Sequence, residues 1–317
     1  MAIKKKEFGK SSKNTISLKR DMETLKGRLN IMEKDLIPKV SGNNAVGVSD
    51  ILPNTIQHGS VEVIQILLQG GANINVRSQN GENLLHIACI HNRLDIIKLL
   101  YSQNANLVNE IDNDRRSVGH FAAAGGSVEV LKFLVSLGLN PYCKDSTGWN
   151  LLHYACFNES LSQHTMNTYP QLLYDRTDEG MSVLLCAAFG GTVSIFKNIY
   201  ELIYNYIKRD LRENKNGTKY TNNMMETIGQ HTLLHMSCLG RRREMTKYLV
   251  EMCPEMLNAV DSSNSTPAHE AAYSGSVSIL KILIDRGADP WCRTSRKETL
   301  LHRACINGQI KMAKYLV

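Results

Sequence analysis

Thr266-Pro267-Ala268-His269-Glu270-Ala271-Ala272 is one of six stretches built on a single plan. The others lie at 83–89, 117–123, 150–156, 232–238 and 299–305, each with a histidine in fourth place (His86, His120, His153, His235, His302). Within the two uninterrupted runs the histidines recur every 33 or 34 residues. Self-similarity at one such period marks a stacked supersecondary unit. Behind each box comes a turn holding Gly or Asn, then a second apolar stripe. Leu94-Asp95-Ile96-Ile97-Lys98-Leu99-Leu100 is one example and Val277-Ser278-Ile279-Leu280-Lys281-Ile282-Leu283 another. A stripe with a period near 3.6 predicts an amphipathic helix. Gly70-Gly71, Gly138 and Gly287 stand where such helices end, the place of a left-handed C-cap. No unit of this size buries its stripe alone, so neighbours must share one core. The box histidine and its Thr, Ser or Asn partner are placed to satisfy backbone groups at a helix start.

The Thr-Pro-Leu-His-type box, the small-residue pair after it and the Gly-Ala-Asp-type helix end together resemble the ankyrin repeat family. Thr266-Pro267-Ala268-His269 is the closest copy of the box. The resemblance covers roughly residues 50–317. It implies an all-α solenoid of antiparallel helix pairs, joined by short projecting hairpins. It also implies a role in binding other proteins.

About eight units are expected over 51–317, several of them imperfect. The first keeps only a vestigial first helix, Ile51-Leu52-Pro53-Asn54. The third loses its second-helix pattern between Phe157 and Tyr174, where Pro170 interrupts. The fourth puts Leu185 in the histidine position, and 50 residues separate Leu185 from His235. The surplus predicts an insertion near 198–228: a helix lengthened to about Glu213, then a polar loop at 214–218. The last unit is cut at Val317, inside its second helix. That sets two expectations, a longer parent protein or a cover over the apolar end.

Ahead of the repeats lie a basic tail (1–14), an amphipathic segment (15–38) and a linker (39–50). Leu18, Met22, Leu25, Leu29, Met32 and Leu36 follow a 4-3-4-3-4 spacing, the a/d seam of a coiled coil. A homodimer through 17–37 is one expectation; a single helix docked on its own chain is the other. The net charge is +7 over 317 residues, yet residues 1–20 alone carry +6. The body is therefore balanced, and a long nucleic-acid-binding face is not expected. No apolar run approaches the roughly 18 residues of a membrane span. Eight scattered cysteines fit a reducing compartment, cytoplasmic or nuclear.

Signs of catalysis and cofactors are weak, so neither is expected. His86/Cys89, His153/Cys156, His235/Cys238 and His302/Cys305 have an i, i+3 spacing that could ligate zinc. The same columns elsewhere hold His120/Ala123 and His269/Ala272, so the cysteine reads as a stand-in for alanine. In 269–273, Tyr273 stands where a zinc-peptidase helix needs its second histidine. Phosphate-binding and nucleophile-elbow motifs are missing from the sequence. What remains is a set of residues expected at exposed loop tips, as contacts for a protein partner. They are Arg115, Arg116, Tyr142, Lys144, Trp149, Trp291, Arg293, Arg296 and Lys297. Exposed Trp, Tyr and Arg dominate binding hot spots. The functional expectation is a non-catalytic scaffold or adaptor. Its alternative is the regulatory array of a larger enzyme or channel.

Overall fold

The computed structural model describes residues 48–214 and 231–317. The tail, the 17–37 seam and the polar loop beyond Asn214 lie outside the described residues. Every regular element described is helical, and three isolated bridges (such as Ile111 with Ser117) close hairpins without building a sheet. The fold is an all-α ankyrin-repeat solenoid, and its described residues fall into two units that divide at 172/173.

The unit ending at residue 172 holds four helix pairs. These are α1 Val48–His58 with α2 Val61–Gln69, α3 Leu84–Ile90 with α4 Leu94–Gln103, α5 Val118–Gly125 with α6 Val128–Ser136, and α7 Leu151–Ala155 with α8 Glu159–Thr168. The first helices pack in sequence order, α1 on α3, α3 on α5 and α5 on α7. Leu84, Leu85, Ala88, Phe121, Ala122, Leu151, Leu152 and Ala155 are fully buried between them. These helices are too short to stand alone in water, where isolated helices under about 12 residues are marginal. Packing therefore supplies their stability.

Two expectations are corrected in this unit. The first pair opens on a full helix of 11 residues, starting at Val48 rather than after the linker boundary at 50. Pro53 sits inside it, and Leu52 and Ile56 on either side are fully buried, so packing outweighs the lost backbone bond. The third repeat also keeps its second helix, α8. Its buried face uses Ser162 and Thr165 beside Leu161 and Met166. The Ser162 hydroxyl donates to Glu159 O at 3.0 Å and that of Thr165 to Leu161 O at 2.7 Å, so both bury at little cost. Pro170 only begins the 3-10 turn that follows.

The unit beginning at residue 173 also holds four pairs. They are α9 Val183–Gly190 with α10 Val193–Asn214, α11 Leu233–Leu239 with α12 Arg243–Met252, α13 Pro267–Ser274 with α14 Val277–Asp285, and α15 Leu300–Ile306 with α16 Ile310–Leu316. The lengthened helix α10 reaches Asn214, one residue past the expected Glu213, and buries Ile195, Phe196, Ile199 and Ile203. The first helices approach closely. A Cβ on Gly240 would overlap the Phe189 carbonyl oxygen, so only glycine fits there.

Candidate partner-binding surface

Six of the first helices start from the box. In the boxes of Ser117, Thr232, Thr266 and Thr299, the backbone N–H of the capping residue donates to Nδ1 of the histidine three places on. The hydroxyl reaches the same nitrogen at 2.8–3.0 Å. Nδ1 is thus an acceptor, which leaves the proton on Nε2. That nitrogen faces forward, onto the next hairpin. His120 Nε2 lies 3.2 Å from Trp149 O, His235 Nε2 2.9 Å from Ser265 O and His269 Nε2 3.3 Å from Glu298 O. One imidazole therefore caps its own helix and holds the following repeat. Burial pushes the His120 ring down to about 4 and His86 to about 3, so both stay neutral.

Three of the cysteines that follow these histidines, Cys89, Cys156 and Cys238, are buried, whereas Cys305 is exposed. Cys89 and Cys156 are fully buried and burial drives their thiols far above the ordinary range; that of Cys238 is pushed up to about 12.

The hairpins are tied tip to tip by backbone bonds. Asn113 N donates to Asn80 O at 2.9 Å and Ser146 N to Asp114 O at 2.8 Å. In the other unit Ser295 N donates to Ser263 O at 2.8 Å, and Asn264 Nδ2 to Arg293 O at 2.9 Å. The backbone of these tips is held before any partner arrives, which lowers the ordering cost of binding.

One tip position turns the chain with a left-handed backbone. Glycine fills it at Gly81 (φ 82°), Gly148 (81°) and Gly180 (78°), and asparagine at Asn264 (58°). Arg115 (60°) and Lys297 (61°) hold the same conformation with long side chains. For an L-residue this costs about 1–2 kcal/mol.

The expected contact residues divide. Arg115, Tyr142 and Lys144 are exposed in the first unit, and Trp291, Arg293, Arg296 and Lys297 in the second. Trp291 is 84% exposed, Tyr142 47%. Tyr142 packs edge-on against Tyr169 at 5.9 Å, and its hydroxyl meets Gln171 Oε1 at 3.3 Å. Trp291, Arg293, Arg296 and Lys297 share one hairpin. Asp289 Oδ1 accepts from Trp291 N at 2.9 Å and fixes that turn.

Arg116 and Trp149 do not belong to that exposed set. One residue past the left-handed turn the chain points inward, and both are buried, at 3% and 5% exposure. The Arg116 guanidinium binds Asp112, lies 3.4 Å from Glu82 Oε1 and covers the Phe121 ring at 5.1 Å. Burial pushes the Asp112 and Glu82 carboxyls up, and the nearby carboxylates keep Arg116 charged. Trp149 packs edge-on against His153 and Tyr154. Two exposed apolar residues escape a sequence reading, Ile111 at 47% and Val260 at 45%, both beside hairpin tips.

Among the described residues no helix is long and apolar enough to cross a membrane. The family model for ankyrin repeats (3 copies) matches residues 52–145, and that for ankyrin repeats (many copies) matches 268–317. The chain is 27% identical over 263 residues to alpha-latrocrustotoxin-Lt1a of Latrodectus tredecimguttatus, which covers 81% of this chain and 18% of the toxin. It is 26% identical over 135 residues to the nuclear factor NF-kappa-B p105 subunit of Gallus gallus, 40% of this chain and 14% of that protein. It is 31% identical over 107 residues to the palmitoyltransferase ZDHHC13 of Homo sapiens, 33% of this chain and 17% of the enzyme. The chain spans less than a fifth of the length of each of these three relatives.

Proposed function

This chain is an ankyrin-repeat protein, and from that premise we propose that it is a non-catalytic scaffold whose hairpin tips hold partner proteins. The observation that carries the reading is the left-handed backbone at Arg115 and Lys297. Strain of this kind persists where the surrounding structure enforces it, and it gathers at functional sites. Glycine would relieve it at three equivalent tips, yet here a base projects.

The chemistry of the tips defines the partner class. Arg293, Arg296 and Lys297 are exposed on the same hairpin as the exposed Trp291, which suits an acidic protein segment with one apolar anchor. A protein fits better than nucleic acid, because the charge beyond residue 20 is only +1. The cytoplasm is the proposed compartment, since all eight cysteines are free thiols. Capture of partners by the full-length chain, set against a Trp291→Ser/Arg293→Ser variant, tests the reading. Partners that stay bound equally well to a folded variant contradict it.

The relatives favour a second reading, that the repeats regulate an effector carried elsewhere in a longer protein. The match to a palmitoyltransferase covers 107 residues, 17% of that enzyme. Sequencing the complete transcript decides between them. An enzyme or channel domain in the same frame supports the second reading, and a stop codon close to Val317 contradicts it. A homodimer through 17–37 belongs to the scaffold reading as well. Light scattering on the full chain would contradict that part by finding a monomer.

A further inference from the structure

We propose that His231, Asp261 and Glu270 form a binding site for a divalent transition metal of the zinc class, one that pins two successive repeats together. The site lies wholly within the second unit. His231 precedes the cap of α11, Asp261 opens the next hairpin and Glu270 sits on α13. All three side chains are buried, at 2%, 3% and 0% exposure, and one ligand atom from each lies within 4.8 Å of the others.

The geometry supports an ion. Asp261 Oδ1 accepts from the N–H groups of Ser263 and Ser265, both at 2.8 Å. Oδ2 of the same buried side chain accepts no hydrogen bond. His231 Nε2 stands 3.2 Å from that oxygen. Two ligands each about 2.0–2.1 Å from a tetrahedral ion are separated by about 3.3 Å. Two carboxylates with one imidazole favour zinc over calcium or magnesium, which prefer oxygen alone.

The charge points the same way. Asp261, Glu270 and the half-buried Glu298 bring three carboxylates, and Arg303 answers them with one guanidinium, 3.5 Å from Glu270 and 3.7 Å from Glu298. A divalent ion would add positive charge among these three carboxylates. Buried charge without compensation is expensive.

The test uses the full chain, stripped with a chelator, dialysed against Zn2+ and assayed for bound metal. One equivalent should remain, and the thermal midpoint should rise with added Zn2+ and fall back with chelator. His231→Gln, Asp261→Asn and Glu270→Gln should each weaken Zn2+ binding about tenfold or more, although every cysteine is kept. If a variant fails to fold, the Co2+ form of the unaltered chain gives an independent reading. It should show ligand-field bands without a thiolate charge-transfer band. Failure to retain an equivalent, unchanged affinity in folded variants, or a thiolate band would overturn the proposal. None of these outcomes bears on partner binding at the tips.

Discussion

Arg115 and Gly148 occupy the same place in successive hairpins, with φ 60° and 81°, although only one of them is glycine. The arginine keeps a conformation that disfavours it, and its side chain faces solvent. Arg115→Gly should leave stability unchanged or raise it by up to about 1 kcal/mol, because relief of strain exceeds the added freedom of the unfolded chain. Partner binding should fall. Lys297→Gly should behave alike. Chemical denaturation beside binding checks both halves, and a clear loss of stability would show that the side chain serves the fold.

Arg116 should behave in the opposite way. Arg116→Met leaves Asp112 and Glu82 buried without their cation and should cost about 3–5 kcal/mol. Adding Asp112→Asn and Glu82→Gln removes the uncompensated charge and should recover most of that loss. Urea midpoints of the single and triple variants decide it. A triple variant as unstable as the single one would contradict the electrostatic account.

The box histidines predict acid sensitivity. Burial holds His86 at about 3, His120 at about 4 and His269 below its ordinary value. In the unfolded chain each titrates near 6.5. Below that pH the unfolded state binds more protons, so stability is full above about 6.5. It falls as pH drops toward the folded values, by up to about 1.4 kcal/mol per unit for each ring. Stability measured from pH 7 to 5 should fall less steeply for His120→Gln than for the native chain. Equal slopes would refute a neutral His120.

Close packing predicts a fourth result. At Gly125 a Cβ would lie 2.6 Å from Ile90 O, and at Gly240 it would overlap Phe189 O. Gly240 has an ordinary φ of −71°, so space and not backbone conformation excludes a side chain. Gly240→Ala should cost about 1–3 kcal/mol through overpacking. Calorimetry showing an unchanged or higher midpoint would disprove so tight an approach.

The repeat was legible because the histidine column recurs at a fixed period, and each of those rings caps a helix as its neighbours suggested. Helix α8 was hidden, since Ser162 and Thr165 bury hydroxyls that the helix itself satisfies. Arg116 and Trp149 looked like tip residues because they sit beside the turn, and one step along a hairpin reverses a side chain's direction. The strain at Arg115 and Lys297 could have been found by setting them against Gly81, Gly148 and Gly180. The meeting of His231, Asp261 and Glu270 could not, as it joins different columns of neighbouring repeats and no linear motif contains them.

The central claim is that rigid hairpin tips, and not a catalytic centre, do this protein's work. Quantitative affinity capture tests it most directly. The full-length chain is compared with one carrying Arg115→Gly, Trp291→Ser, Arg293→Ser, Arg296→Ser and Lys297→Gly, after both show the same helicity and thermal midpoint. The account predicts that specific partners are lost from the variant while its fold is retained. An unchanged partner set on the folded variant would contradict it.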